Sequence, residues 1–154
     1  MKARYIRLAN GSQSNEKQLQ KKYPDEKLYI DCTNGAIPFK DRPQGQKMIE
    51  DVEAGLTTEL STQSIDRLGK NLFDILDTLE FMNKNNVTLK IDNLGIENLT
   101  NNKPNHAFKL IMTAMADVAL MERNSLSQRQ KEGIQLAISK GAYKGRIKGT
   151  TETK

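Results

Sequence analysis

Apolar and polar positions along this chain follow two periods, and together they outline a mixed α/β order. Residues 3–8 read as a short strand that runs into a turn built on Asn10-Gly11. Residues 15–23 are polar with Leu19 and Tyr23 four apart, a sparse helix signal that Pro24-Asp25-Glu26 ends. Leu28 to Ile30 suits a second strand. Residues 31–41 contain Asn34-Gly35 and Pro38 and read as a long loop, of the kind that is functional or disordered in a compact domain. Pro43 is placed for the first turn of a helix carrying Met48, Ile49 and Val52, which Gly55 closes. Residues 57–65 occupy the place of a third strand, yet Glu59, Ser61, Thr62, Gln63 and Ser64 make it polar where a central strand is normally apolar. Leu72, Ile75, Leu76, Leu79 and Met82 then recur at helical spacing over residues 72–85. Val87, Leu89 and Ile91 alternate with Thr88, Lys90 and Asp92, a half-buried strand. Residues 93–104 are an Asn-rich loop.

From Asn105 to about Lys140 only Gly133 interrupts a helical pattern, which at 1.5 Å per residue gives a rod of roughly 50 Å. Its first half, including Phe108, Ile111, Met112, Met115, Val118 and Ala119, is apolar almost all round. A helix without a polar face has to be covered on every side. One small sheet does not achieve that, so those six residues are expected at an interface with a second copy of the chain. From Glu122 onward the helix is polar and mixed in charge and is expected to project beyond the core. The pattern therefore divides the chain into an α/β core over 1–104, a long helix over 105–140 that belongs to the same domain, and an arm over 141–154.

Charge sharpens the picture of that arm. The net charge is +5, and the last fifteen residues carry +4 of it through Lys140, Lys144, Arg146, Lys148 and Lys154 against Glu152. A basic tail is ordinarily a solvated end, but beside a nucleic-acid-type domain it reaches phosphates. Cys32 is the only cysteine and His106 the only histidine, which excludes an intrachain disulfide and leaves little for a zinc site or for a Cys–His or Ser–His pair. With no apolar run near the ~20 residues of a membrane span, the expectation is a soluble, cytoplasmic protein that uses neither metal nor cofactor and makes no membrane contact.

Several short motifs recur in a fixed order. Tyr5-Ile6-Arg7-Leu8 and Gln13 open the chain, followed by Gln13 to Leu19 in the form Gln-x-x-x-x-Gln-Leu. Asp41-Arg42-Pro43 and Ile65-Asp66-Arg67-Leu68-Gly69-Lys70-Asn71 come next, then Glu122-Arg123, Arg129 with Gly133, and Lys140 to Arg146. In this order and spacing the chain resembles the catalytic domain of the small serine recombinases, the resolvase–invertase family, over residues 1 to about 148. The resemblance implies a three-layer resolvase-like α/β domain, with a central sheet of about four strands between helices and a long C-terminal dimerisation helix. It also implies site-specific DNA recombination, in which a serine oxygen attacks a phosphodiester, leaves a 5′-phosphoserine link and a free 3′-OH, and the reverse attack reseals the strand.

Such phosphoryl transfer relies on positioning and charge neutralisation, which arginines supply because guanidinium groups bind phosphate oxygens in pairs and stay charged. By resemblance Arg7, Arg42, Arg67 and Arg123 surround the phosphate, Gln18 and Asp66 position it, and Lys70 takes the place of a further arginine. Arg129, Lys140, Lys144, Arg146 and Lys148 would follow DNA, with weak binding because the family's helix-turn-helix domain has no counterpart in these 154 residues. The implied partners are DNA, a second copy in a dimer or tetramer, and an active relative. Each residue also has a plainer use: Gln18 closes a capping box with Asn15, Asp66 and Arg67 form a cap and surface charge, Arg42 is a loop arginine, and Glu122-Arg123 a solvated helix face.

One departure bears on activity. The family's nucleophilic serine corresponds to Ala9, whose methyl group cannot attack phosphorus. Asn34 stands where the family has serine in a Ser-Gly loop, and the stretch from Gly55 to Asp66 is about two residues longer than the family pattern. Three accounts of Ala9 compete: an engineered serine-to-alanine change, natural decay of the site, or replacement by Ser12 in the same loop. The scattered departures favour decay, because an engineer changes one residue and leaves the others. The expectation is thus a recombinase-type domain that is catalytically impaired as it stands. The alternatives are an active recombinase, with serine native at position 9 or Ser12 as nucleophile, and a non-enzymatic dimerisation module.

Overall fold

The structure is a computed structural model that describes residues 1–9 and 16–141. The loop with Ser12 and Gln13 and most of the basic arm, including Lys144, Arg146 and Lys148, lie outside the described residues. The chain falls into two compact units, Met1–Ala116 and Asp117–Lys154, so the division falls inside the long helix rather than before it.

In the first unit, β1 (Lys2–Leu8) leads to α1 (Glu16–Lys22), β2 (Lys27–Cys32) and α2 (Pro43–Glu53). Then follow β3 (Glu59–Thr62), α3 (Leu72–Lys84), β4 (Thr88–Ile91) and three two-residue strands, β5 (Ile96–Glu97), β6 (Leu99–Thr100) and β7 (Lys103–Pro104). Short 3-10 turns at Phe39–Asp41 and Ile65–Leu68 precede α2 and α3. The sheet runs in the order β2-β1-β3-β4-β5, with β1 to β4 parallel and β5 antiparallel at the edge. A sheet of about four strands was the expectation, and β5 adds a short fifth. The Asn-rich loop is corrected more fully, because β5, β6 and β7 all fall inside residues 93–104. Strands of two residues carry too few positions for an alternation to register.

Parallel strands are normally buried on both faces and apolar throughout. One face here obeys that rule: Ala3, Tyr5, Tyr29, Leu60, Leu89 and Ile91 pack with Phe39, with Met48 and Val52 of α2, and with Ile75, Leu79 and Met82 of α3. The other face is apolar at Ile6, Leu28 and Ile30 of β1 and β2, and is charged around β3. The register sets Ser61 between Arg4 and Lys90. Arg4 pairs with Glu26 and Asp92, each at 2.5 Å, and lies 3.9 Å over the Tyr23 ring, while Lys90 pairs with Glu59 at 2.6 Å. A small serine in the central strand leaves room for two long cationic side chains to lie flat with their stems buried. That is why β3 is central despite its polar sequence.

Two side-chain caps, one remote and one local, close the starts of α2 and α3. The Asp31 carboxylate, at the end of β2, accepts the Gln44 and Gly45 amides of α2 at 2.9 and 3.1 Å, which satisfies N–H groups that have no partner inside the helix. Asn71 caps α3 by accepting the Asp74 amide at 2.9 Å.

The long helix α4 spans His106–Ser139. Among the six positions expected at an interface, Phe108 is buried in the chain's own core, with Met112 and Met115 packed against that core. Ile111 is half-buried, Val118 is 46% exposed and Ala119 is buried. Leu110, Leu120 and Met121 stay exposed, so the apolar circumference is covered on some sides only. Residues 122–136 are exposed throughout. No helix among the described residues is long and apolar enough to cross a membrane.

Candidate functional site

In open α/β sheets the ligand crevice lies beyond the carboxyl ends of the strands, where the strand order reverses. Here that point lies at β1, since β2 pairs on one side of it and β3 on the other. The segments that emerge there are Ala9 after β1, residues 33–37 after β2 and residues 63–70 after β3. Ala9, Asp66, Arg67 and Lys70 of the expected site therefore belong to one sheet edge, with Arg7 one residue before the end of β1.

Arg7 is half-buried. Its Nη1 donates to the Thr33 carbonyl at 3.4 Å, and its Nε is buried with no hydrogen-bond partner among the described residues. A Cβ built on Gly35 would lie 3.3 Å from Arg7 Cζ and 3.4 and 3.5 Å from its two terminal nitrogens. Near-equal distances to three atoms of one plane place Gly35 over the guanidinium face. The loop keeps that shape through Asn34, whose side chain accepts the Ala36 amide at 3.0 Å and whose carbonyl accepts the Ile37 amide at 3.2 Å. An asparagine where the family pattern has serine is thus used to build the turn.

Arg42 is the most deeply placed of the expected site residues, its side chain fully buried at 0% exposure. Nε donates to the Ile37 carbonyl at 3.0 Å, and Nη2 to the Gly35 carbonyl at 3.5 Å. Nη1 donates to the Arg67 carbonyl at 2.6 Å and to Tyr5 Oη at 3.3 Å. Tyr5 in turn donates to Asp31 at 2.9 Å and packs edge-on to Phe39. Burial, with the Asp31 charge adding to it, pushes the Tyr5 phenol well above its ordinary value against the opposing pull of Arg42. A buried guanidinium is tolerated only when its donors are satisfied, and here backbone carbonyls satisfy them. Local sequence shows none of this, because the acceptors lie up to 37 residues away.

Asp66 is exposed and accepts the Ser64 hydroxyl. Arg67 is half-buried and Lys70 exposed, the Lys70 amide donating to Asp74 at 2.7 Å. Gln18 is exposed on α1. Arg123, Arg129 and Lys140 are exposed in the second unit. No cluster of three or more His, Cys, Asp or Glu suited to a metal occurs among the described residues. Tyr5, Asp31 and Gly35 complete the arrangement without having been singled out as site residues. Two of them carry a sequence signal, Tyr5 in the opening motif and Gly35 in the long loop, while Asp31 carries none.

The Resolvase, N terminal domain family model matches residues 3–143. The Tn1546 transposon resolvase of Enterococcus faecium is 32% identical over 149 residues, which cover 94% of this chain and 73% of that protein. The Tn552 DNA-invertase BinR of Staphylococcus aureus is 30% identical over 148 residues, 95% of this chain and 72% of that protein. Among solved structures, a resolvase-family site-specific recombinase from Streptococcus pneumoniae superposes with a TM-score of 0.58 at 22% identity, covering 89% of this chain and 99% of that one. The N-terminal catalytic domain of TP901-1 integrase gives 0.58 at 21% identity, covering 80% and 98%. These two confirm the fold. With a family match over nearly its whole length and relatives at 30–32% identity, the chain belongs to the resolvase family through its N-terminal domain.

Proposed function

We propose that this chain is the catalytic-type domain of a site-specific DNA recombinase, that it holds a DNA phosphodiester at the carboxyl edge of its sheet, and that it is unable to form the phosphoserine link. The observation that carries this reading is Arg7. Its buried Nε has no acceptor among the described residues at the sheet's switch point, and a buried donor without a partner costs free energy that an anionic oxygen would recover. Arg67 emerges at the same edge from the neighbouring strand, so two permanent positive charges serve one phosphate. On the family pattern Gln18, Asp66, Lys70 and Arg123 act on that phosphate, and the cations of the arm follow the DNA backbone. Ala9 ends β1 and is exposed, but a methyl group offers no lone pair to phosphorus. The exposed Leu110, Leu120 and Met121 support pairing through the long helix with a second copy or an active relative.

The test compares the chain with its Ala9→Ser variant. Each is incubated with DNA spanning the region around its own gene, quenched with detergent and analysed for covalent protein–DNA adducts. No adduct is expected with Ala9, and a 5′-linked adduct with a free 3′-OH is expected with Ala9→Ser. An adduct formed by the unmodified chain, particularly one abolished by Ser12→Ala, would overturn the impairment. Absence of both adduct and salt-sensitive DNA binding in either form would overturn the recombinase reading.

A further inference from the structure

Resting on the phosphate reading above, we infer that Arg42 and Gly35 are positioning residues that lock Arg7 and Arg67 together, and that neither touches the DNA. Arg42 is reached by no solvent, yet its guanidinium grips both loops that flank the end of β1. On one side it holds the carbonyls of Gly35 and Ile37, and on the other the carbonyl of Arg67. Gly35 in turn lies against the Arg7 guanidinium face, where an added Cβ at 3.3–3.5 Å would press the guanidinium to shift by a few tenths of an ångström. The two surface arginines are thereby joined in series: Arg7 under Gly35, Gly35 on Arg42, Arg42 on Arg67.

Chemistry favours this division of labour. A phosphate site needs its arginines fixed before the anion arrives, because ordering a long side chain on binding costs affinity. A surface arginine has no such restraint of its own. An internal guanidinium supplies one, since its five donors lie in a rigid plane and fix every carbonyl they reach. Tyr5 and Asp31 hold Arg42 from behind, through Tyr5 Oη at 3.3 Å and its bond to Asp31 at 2.9 Å.

The experiment uses the full ¹⁵N-labelled chain, with the Arg7 Nε–Hε signal assigned through Arg7→Lys and the Arg67 amide signal through Arg67→Lys. The variants are Gly35→Ala, which crowds Arg7 while leaving every Arg42 donor in place, and Arg42→Lys, which keeps charge but loses the fork. Melting curves establish that each variant is folded, and Gly35→Ala keeps the test decisive should Arg42→Lys unfold. Without any ligand, both variants are expected to move the Arg7 and Arg67 signals together. Titration with inorganic phosphate is expected to perturb both arginines with a single affinity, weakened about tenfold in each variant, as for loss of one charge-assisted hydrogen bond. A folded Gly35→Ala that shifts Arg7 alone, or leaves phosphate affinity unchanged, would overturn the coupling. Phosphate that moves neither arginine in the unmodified chain would instead sink the phosphate reading, and the ligand-free shifts would still decide whether the two arginines are linked.

Discussion

Tyr5 on β1 donates its phenol proton to Asp31 on the adjacent strand β2 at 2.9 Å, and the same carboxylate accepts the first amides of α2. One carboxylate thus joins two strands and a helix, and Tyr5 also accepts from Arg42. Tyr5→Phe keeps the ring against Phe39 and deletes the hydroxyl. It should destabilise the fold by about 1–3 kcal/mol, because a buried carboxylate and a buried guanidinium each lose a partner. Urea unfolding followed by circular dichroism measures it, and a change under about 0.5 kcal/mol would contradict this role.

Alkaline pH should unfold the protein earlier than its surface charge alone would. Burial raises the Tyr5 and Tyr29 phenols above their ordinary range, with the hydrogen bond to Asp51 a second cause at Tyr29. The unfolded chain releases those protons near pH ~10, whereas the folded chain retains them. Their contribution is complete below that value and is lost as pH rises through and beyond it. Asp51 works in the opposite direction, held low first by its hydrogen bond to Lys27 and then by that to Tyr29, so its contribution is present above pH ~4 and is lost as pH falls further. Melting temperature against pH should show both declines, and Tyr5→Phe should flatten the alkaline one.

Gly69 lies between the Arg67 turn and α3 in extended backbone, where any residue is conformationally allowed. Space is what requires glycine there: an added Cβ would sit 2.5 Å from the Ile75 amide nitrogen and 2.9 Å from the Asp74 carbonyl carbon. Gly69→Ala should cost about 2 kcal/mol or more through forced backbone displacement. A crystal structure of the variant should show the 65–70 segment moved off α3. An unshifted segment and an unchanged melting temperature would contradict the close packing.

Asn98 is buried in the short link between β5 and β6 and acts as a substitute strand. It accepts the Leu89 amide at 2.7 Å and donates to the Val87 carbonyl at 3.0 Å and to Asn83 at 2.8 Å. Its own carbonyl accepts the Asn105 amide, one residue before α4. Asn98→Ala should therefore destabilise by about 2–3 kcal/mol and raise hydrogen exchange at Leu89 and at the first turn of α4. Exchange rates that stay unchanged at both places would remove Asn98 as the anchor of that helix.

What the sequence determined by itself was the order of elements and the identity of the family, because both are written in local periods and spacings. Helices α2, α3 and α4 and strands β1 and β4 follow from apolar residues at their own repeat, and the ordered motifs from Tyr5 to Arg146 name the family without geometry. The tertiary structure decided the roles. β3 is central despite its polarity because Arg4 and Lys90 lie across Ser61 on a charged sheet face. Asp31 caps a helix it precedes by a dozen residues. Arg42, which motif reading sends to the phosphate, is buried beneath the site because its acceptors come from Tyr5, from the 35–37 loop and from Arg67. Those contacts join positions far apart in the chain, and no local pattern encodes which carbonyl a guanidinium will meet once the strands are paired.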